Sequence, residues 1–209
     1  MSPHNYQVEE PTRMMYRGGI EMFNNDLFSD AKVTAGSETW PVHKSIICPR
    51  SEYFRRAFTG PFLEATTNQV TIEGQNTQAV GQVIRYLYTG EVPSEDVEDI
   101  RQAVDLFIAA DYFDIEYLKS DTLTILSFRI DCVFEDAPSK EYFLNDEDLD
   151  QIYYAACVAY TSSPNLEALR EPIEVFLVDT EFLLCKDDRF MRKLTKIPEF
   201  SLALTYNEE

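Results

Sequence analysis

From Asp30 onward, apolar and polar positions alternate. Ala31, Val33 and Ala35 are separated by Lys32 and Thr34, Gly36-Ser37 supplies a turn, and Trp40-Pro41-Val42 returns, which predicts a β-hairpin. The spacing then becomes helical. Ile46, Ile47, Tyr53, Phe54, Ala57 and Phe58 recur three to four residues apart, loading one side of two short helices; Pro49 ends the first and Ser51 is placed to cap the second. Val70 and Ile72 alternate with Thr71 and Glu73, a third strand closed by Gly74. Thr77 begins a longer helix on which Val80, Val83, Ile84, Leu87 and Tyr88 share a face, and Gly90 stops it where a left-handed residue is needed.

Beyond Gly90 every periodic stretch is helical. Ser94 is expected to cap a helix with Glu95, Asp96 and Glu98 in its first turn and Ile100, Val104, Phe107, Ile108 and Ala110 on its apolar face. Asp114 is expected to cap the next, carrying Ile115, Leu118, Leu123 and Leu126. Asn145 precedes an acidic turn and then Leu149, Ile152, Tyr153, Ala156, Val158 and Tyr160; Asn165 is read as the cap of a helix with Leu166, Leu169, Ile173, Phe176 and Leu177, kinked near Pro172. Shorter pieces run over 181–184 and 189–194, and Ile197-Pro198-Glu199-Phe200 ends the fold. The pattern divides the chain into an N-terminal arm (1–22, aperiodic, with Pro3 and Pro11), an α+β domain of a small sheet flanked by helices (23–130), an acidic linker containing Pro138-Ser139 (131–145), and an all-helical extension (146–209).

Composition narrows the function. The 209 residues hold 37 acidic and 18 basic side chains, a net charge of −19, which argues against nucleic acid or an anionic membrane as partner. The four cysteines, at 48, 132, 157 and 185, form no CxxC pair and read as mostly buried thiols of a reducing compartment. The first residues lack an apolar signal core, and the most apolar run, 152–160, is too short to span a bilayer, so the expected setting is the cytoplasm, the nucleus or both.

Several short motifs stand in a telling order: Asp30, Val42-His43-Lys44, Ser51, Tyr53-Phe54, Phe58, Phe62-Leu63-Glu64, then Tyr86-Leu87-Tyr88-Thr89-Gly90, then Ala109-Ala110-Asp111-Tyr112 with Leu118. Together they resemble the BTB/POZ domain over residues 26–126. Ala159-Tyr160, Leu169-Arg170 and Pro198-Glu199-Phe200 resemble the C-terminal helical extension of single-BTB proteins of filamentous fungi. No internal repeat follows, so the Kelch repeats or zinc fingers that often accompany this domain are not expected in these residues.

The resemblance implies a protein–protein interaction module that forms homodimers, with the N-terminal arm as the candidate exchanged element. It implies a small mixed sheet flanked by helices, a charged pocket at the dimer centre from Asp30 and Lys44, and a candidate cullin contact through the hydrophobic–any–acidic pattern Phe62-Leu63-Glu64, in the loop after the helix ending near Phe58; self-association is the leading role, and substrate adaptation for a cullin-type ubiquitin ligase is a further one. The structural signature positions it implies are His43, Ser51, Tyr53, Phe54, Phe58, Tyr88, Gly90 and Asp111, with His43 packed and hydrogen-bonded. An acidic scaffold for transcriptional or chromatin-associated complexes is the alternative. An enzyme is not expected. With two histidines, a Cys–His nucleophile would have to join His43 to Cys48, no set of Cys and His has metal-ligand spacing, and no glycine-rich phosphate loop is present, so neither metal nor cofactor is expected.

Overall fold

A computed structural model describes residues 10–135, 144–179 and 183–200, and these fall into two compact units: the described residues within 1–92 together with 112–115, and those within 93–111 and 116–209.

The first unit is built on a three-stranded sheet. Strands β1 (Ala31–Ala35) and β2 (Glu38–Val42) form the expected hairpin, with Gly36 at φ +55 in its turn, and β3 (Gln69–Ile72) runs parallel to β1, giving the order β2-β1-β3. Alternation sets the faces: Ala31, Val33, Ala35, Trp40, Val42, Val70 and Ile72 are buried, and Lys32, Thr39, Gln69 and Thr71 are exposed. The same unit holds α2 (Lys44–Ile47), α3 (Glu52–Thr59) and α5 (Thr77–Thr89), whose Ile47, Phe54, Val80, Val83 and Ile84 are fully enclosed; α5 meets the sheet where Gly81 faces the Trp40 ring. Ser51 caps α3 by accepting from Phe54 N–H, Asn76 caps α5, and Gly90 ends α5 at φ +75, as its sequence predicts.

Two expectations for this unit change. Residues 10–22 are not an irregular arm but helix α1 (Glu10–Met22), which packs on α5; residues 1–9 lie outside the described residues. The contact depends on Gly19, where a Cβ would stand 2.2 Å from the Tyr88 carbonyl oxygen. The Phe62-Leu63-Glu64 stretch is not a loop: Phe62 precedes a short helix, α4 (Leu63–Thr67), that Asn68 closes at φ +57.

The second unit is helical: α6 (Ile100–Tyr112, its last residue grouped with the first unit), α7 (Glu116–Glu135), α8 (Asp146–Thr161), α9 (Arg170–Asp179) and α10 (Asp188–Leu194). Ile100, Val104, Phe107, Leu118, Leu126, Leu149, Ile152, Leu169, Ile173, Phe190 and Phe200 form its core. Polar ties support the packing of α6 on α8: Gln151 Oε1 accepts from Ile100 N–H (3.0 Å), Tyr154 donates to Asp105 (2.6 Å), and Arg101 lies over the Tyr154 ring.

Caps differ from expectation here. Ser94–Asp96 is an isolated 3-10 turn, and α6 is started by Asp99, which accepts from Gln102 N–H (2.7 Å) while the Gln102 side chain accepts from Glu98 N–H (2.9 Å). Asp114 does not cap α7; it turns the chain at φ +58, two residues ahead of the helix. Asn165 lies within a 3-10 segment (Pro164–Leu169), and Pro172 falls in the first turn of α9, where its missing N–H would have no helical acceptor, so it needs no kink. Helix α7 runs five residues into the expected linker; residues 136–143, with Pro138-Ser139, lie outside the described residues, as do 180–182 and 201–209. Asn145 caps α8 as expected. None of the four cysteines is in a disulfide, and all are half-buried rather than enclosed.

Candidate interaction surface

His43 and Tyr88 form the polar heart of the first unit. Both are buried. His43 N–H donates to Tyr88 Oη (2.8 Å), Tyr88 Oη also lies 2.7 Å from His43 Nδ1, and His43 Nε2 lies 2.8 Å from the Leu27 carbonyl. A carbonyl only accepts, so Nε2 carries the proton, and Nδ1 then accepts from the Tyr88 hydroxyl; every polar atom of the pair is satisfied. Burial pushes the Tyr88 phenol up to about 12, opposed by the His43 N–H and reinforced by Asp30. The loop so anchored presents Leu27 and Phe28 outward; Phe28 is 82% exposed and held at φ +63.

Asp30 and Lys44 are adjacent but are not paired charge to charge. The Asp30 carboxylate accepts from the Lys44 backbone N–H (2.8 Å), holding the start of α2, while Lys44 Nζ donates to the Asn68 side chain and lies 5.4 Å from the Phe58 ring centroid. Asp30 is exposed and Lys44 half-buried. Arg50, which sequence reasoning passed over, donates to the carbonyls of Leu87 and Tyr88 at the end of α5. Gly90 N–H returns to Tyr86 C=O there.

On another part of this unit, Phe62 is 55% and Leu63 74% exposed, with Glu64 in the first turn of α4. Neither apolar side chain packs inward. Glu64 lies close enough to Tyr53 to act on its phenol, which burial chiefly, then the bond to Tyr112, hold well above the usual tyrosine range. Tyr53 and Tyr112 hydroxyls are 3.3 Å apart, and the Tyr53, Phe54, Phe58, Tyr112 and Phe113 rings form one cluster in which Phe54 and Phe113 stack at 5.0 Å. Ser51 locks it, donating to Phe113 C=O at 2.8 Å. The signature positions Ser51, Tyr53, Phe54 and Phe58 thus build the platform of this corner. Tyr112 and Phe113 complete it; their place at the end of an apolar helix face was the signal available in the sequence.

In the second unit, Asp111 accepts from Lys119 Nζ (2.9 Å), tying α6 to α7. The three C-terminal motifs converge: Arg170 donates to Ala159 C=O (3.1 Å) and lies 4.7 Å from the Tyr160 ring centroid, and Phe200 packs on that ring. Charge is uneven. Residues 1–92 with 112–115 carry 8 basic and 11 acidic side chains (−3), whereas 93–111 with 116–209 carry 10 and 26 (−16).

The Cys48–His43 pair is not arranged for nucleophilic catalysis. Both His43 ring nitrogens are engaged, Cys48 Sγ donates to Phe54 C=O (3.7 Å), and burial raises the thiol above its ordinary value. Among the described residues no group of three or more His, Cys, Asp or Glu side chains is placed to hold a metal, and no helix is long and apolar enough to cross a membrane.

Residues 20–127 match the family model of the BTB/POZ domain. TD and POZ domain-containing protein 4 of Mus musculus is 33% identical over 98 residues, 47% of this chain and 26% of its own length. Kelch-like protein 40 of Xenopus tropicalis is 22% identical over 204 residues, 89% of this chain and 33% of its own, so that similarity continues past the BTB match. The chain therefore spans a third or less of these curated relatives. The BTB domain of zebrafish PATZ1 aligns at 17% identity and a TM-score of 0.46, covering 60% of this chain and 98% of that one.

Proposed function

This chain belongs to the BTB/POZ domain family, a family of protein-interaction modules, and on that premise we propose that it is a non-enzymatic self-associating adaptor that brings a partner to a cullin-type ubiquitin ligase, in the cytoplasm, the nucleus or both. The observation that carries the cullin reading is the exposure of Phe62 and Leu63 beside Glu64 at the start of α4. A solvent-facing aromatic is an anchor for a partner's pocket, and a flanking carboxylate orients it. Helix α4 is closed by Asn68 at φ +57 and packs on α3. Asp30 and Lys44 supply the charges proposed for the centre of a homodimer; in one chain they hold the start of α2, and their opposite charges remain available to a second copy.

Phe62→Ala and Glu64→Lys should each weaken binding to a cullin scaffold by about tenfold or more, the size of an anchor residue's loss. Folding, read from the fluorescence of the single tryptophan, Trp40, should be unchanged. Variants that bind as tightly as wild type would refute the assignment. Asp30→Asn with Lys44→Gln should weaken self-association measured by light scattering across concentration. The alternative, an acidic scaffold in transcriptional or chromatin-associated complexes, is favoured by the −16 charge of the second unit, which suits basic partners. Nuclear co-purification with no cullin present would select it.

A further inference from the structure

The two edges of the sheet are unlike. The Lys32 N–H donates to Asn68 C=O (2.9 Å), so Lys32 and Thr34 of β1 address β3, while Ala31, Val33 and Ala35 address β2. On β2 this turns the backbone of Thr39 and Pro41 outward, and Pro41 has no N–H to offer: that edge is blunted. On β3 it turns the N–H and C=O groups of Gln69 and Thr71 outward, with those of Glu73 next in line. Among the described residues none of these groups has a hydrogen-bond partner, and all three residues are exposed.

We propose that this open edge pairs with the same edge of a second copy, antiparallel and centred on Thr71, joining two three-stranded sheets into one. The sequence is self-complementary in that register. Thr71 meets Thr71 of the second copy, Val70 meets its Ile72, and Gln69 meets its Glu73, so apolar residues face apolar ones and no like charges oppose. The outward groups of residues 69, 71 and 73 form about six backbone hydrogen bonds across the two-fold axis. The exposed face already carries a threonine row: Thr39 stands opposite Thr34, their hydroxyls 3.1 Å apart, and Thr34 stands opposite Thr71. Pairing at Thr71 continues the row through the axis into the second copy. These residues are distinct from Asp30, Lys44, Phe62 and Glu64, so the surface is additional to those of the proposed function.

The full chain tests it. Residues facing each other in such a pair have Cα atoms about 5.5 Å apart, within disulfide range. Under mild oxidation Thr71→Cys should give a covalent dimer in clear excess over wild type, whose four native thiols set the baseline. Gln69→Cys and Glu73→Cys should stay at baseline singly and cross-link when combined. Thr71→Pro, folded by the Trp40 signal, should weaken association through this edge by about tenfold or more. Should it not fold, Thr71→Lys sets like charges opposite each other and should weaken association up to about fivefold. Thr71→Cys at baseline, Gln69→Cys alone matching it, or a folded Thr71→Pro or Thr71→Lys chain associating as wild type would overturn the proposal. Asp30→Asn with Lys44→Gln should leave the Thr71→Cys yield unchanged, which separates this surface from the charged one.

Discussion

Tyr88→Phe removes one oxygen from the centre of the first unit, and the structure sets its cost. The hydroxyl accepts from His43 N–H at 2.8 Å and serves His43 Nδ1 at 2.7 Å, and both residues are buried. The phenyl ring of the variant keeps its contacts with Phe23, centroids 6.0 Å apart, and His43, 5.8 Å apart, so no cavity opens. What is lost is hydrogen bonding, and two buried groups are stranded at about 1–3 kcal/mol each. Relaxation around the stranded groups lowers the sum, and about 2–4 kcal/mol is expected. The assay is urea unfolding followed at Trp40, which lies in β2 and reports on this unit. With a slope of about 2 kcal/mol per molar urea, the midpoint should fall by about 1–2 M. A loss below about 0.5 kcal/mol, the range of ordinary surface substitutions, would refute the claim that Tyr88 is what satisfies His43.

Neighbouring glycines of α1 should respond with opposite sign. Gly18→Ala meets nothing within 4 Å and should stabilise by about 0.5–1 kcal/mol through helix propensity, whereas Gly19→Ala drives a Cβ into the Tyr88 carbonyl and should destabilise by about 1–3 kcal/mol in the same urea assay. Equal effects would mean that α1 does not pack on α5 as described. In the second unit, the Arg189 side chain bonded to buried Asp187 holds that carboxyl below its ordinary value. A depressed folded value contributes stability that is present above the unfolded value of about 4 and is lost as pH falls through the folded value. Asp187→Asn should therefore lower thermal stability at pH 7, by about 1–3 kcal/mol, and reduce the further loss between pH 4 and pH 2; a variant with the wild-type acid profile would contradict the pairing.

What the sequence shows depends on whether an element is fixed locally. The hairpin was legible because strict alternation and Gly36-Ser37 agree, and α5 because Val80, Val83, Ile84, Leu87 and Tyr88 keep one face and Gly90 marks its end; its Asn76 cap was not read. Helix α1 was not: two adjacent glycines argue against a helix, and the reason for Gly19 is a carbonyl on another element. The start of α6 was misplaced because Ser94, Asp96 and Asp99 are all capping residues, and the paired Gln102 that selects Asp99 was overlooked. At the site, the exposure of Phe62 follows from its place before α4, which no period reveals. Asp30 and Lys44 were legible as neighbours, but a sequence displays side-chain charge and not the backbone N–H that Asp30 actually holds. Arg50 and Asn68 act on carbonyl and amide groups brought near by the fold, so their spacing carries no signal.

The distribution of charge bears on how the two proposed self-association surfaces would behave. Of the net charge of −19, −16 belongs to the second unit, so two copies repel chiefly through residues that neither surface uses. Salt screens that repulsion over about 8 Å at physiological strength. Pairing at the β3 edge rests on backbone hydrogen bonds and apolar contact, with Glu73 facing an uncharged amide; screening removes its opponent and leaves its attraction intact, so added salt strengthens it. A centre built from Asp30 and Lys44 of two copies draws on attraction between exposed and half-buried charges, which the same salt weakens. The sign of the salt dependence thus distinguishes the sheet edge from the charged pocket as the contact that holds two chains together.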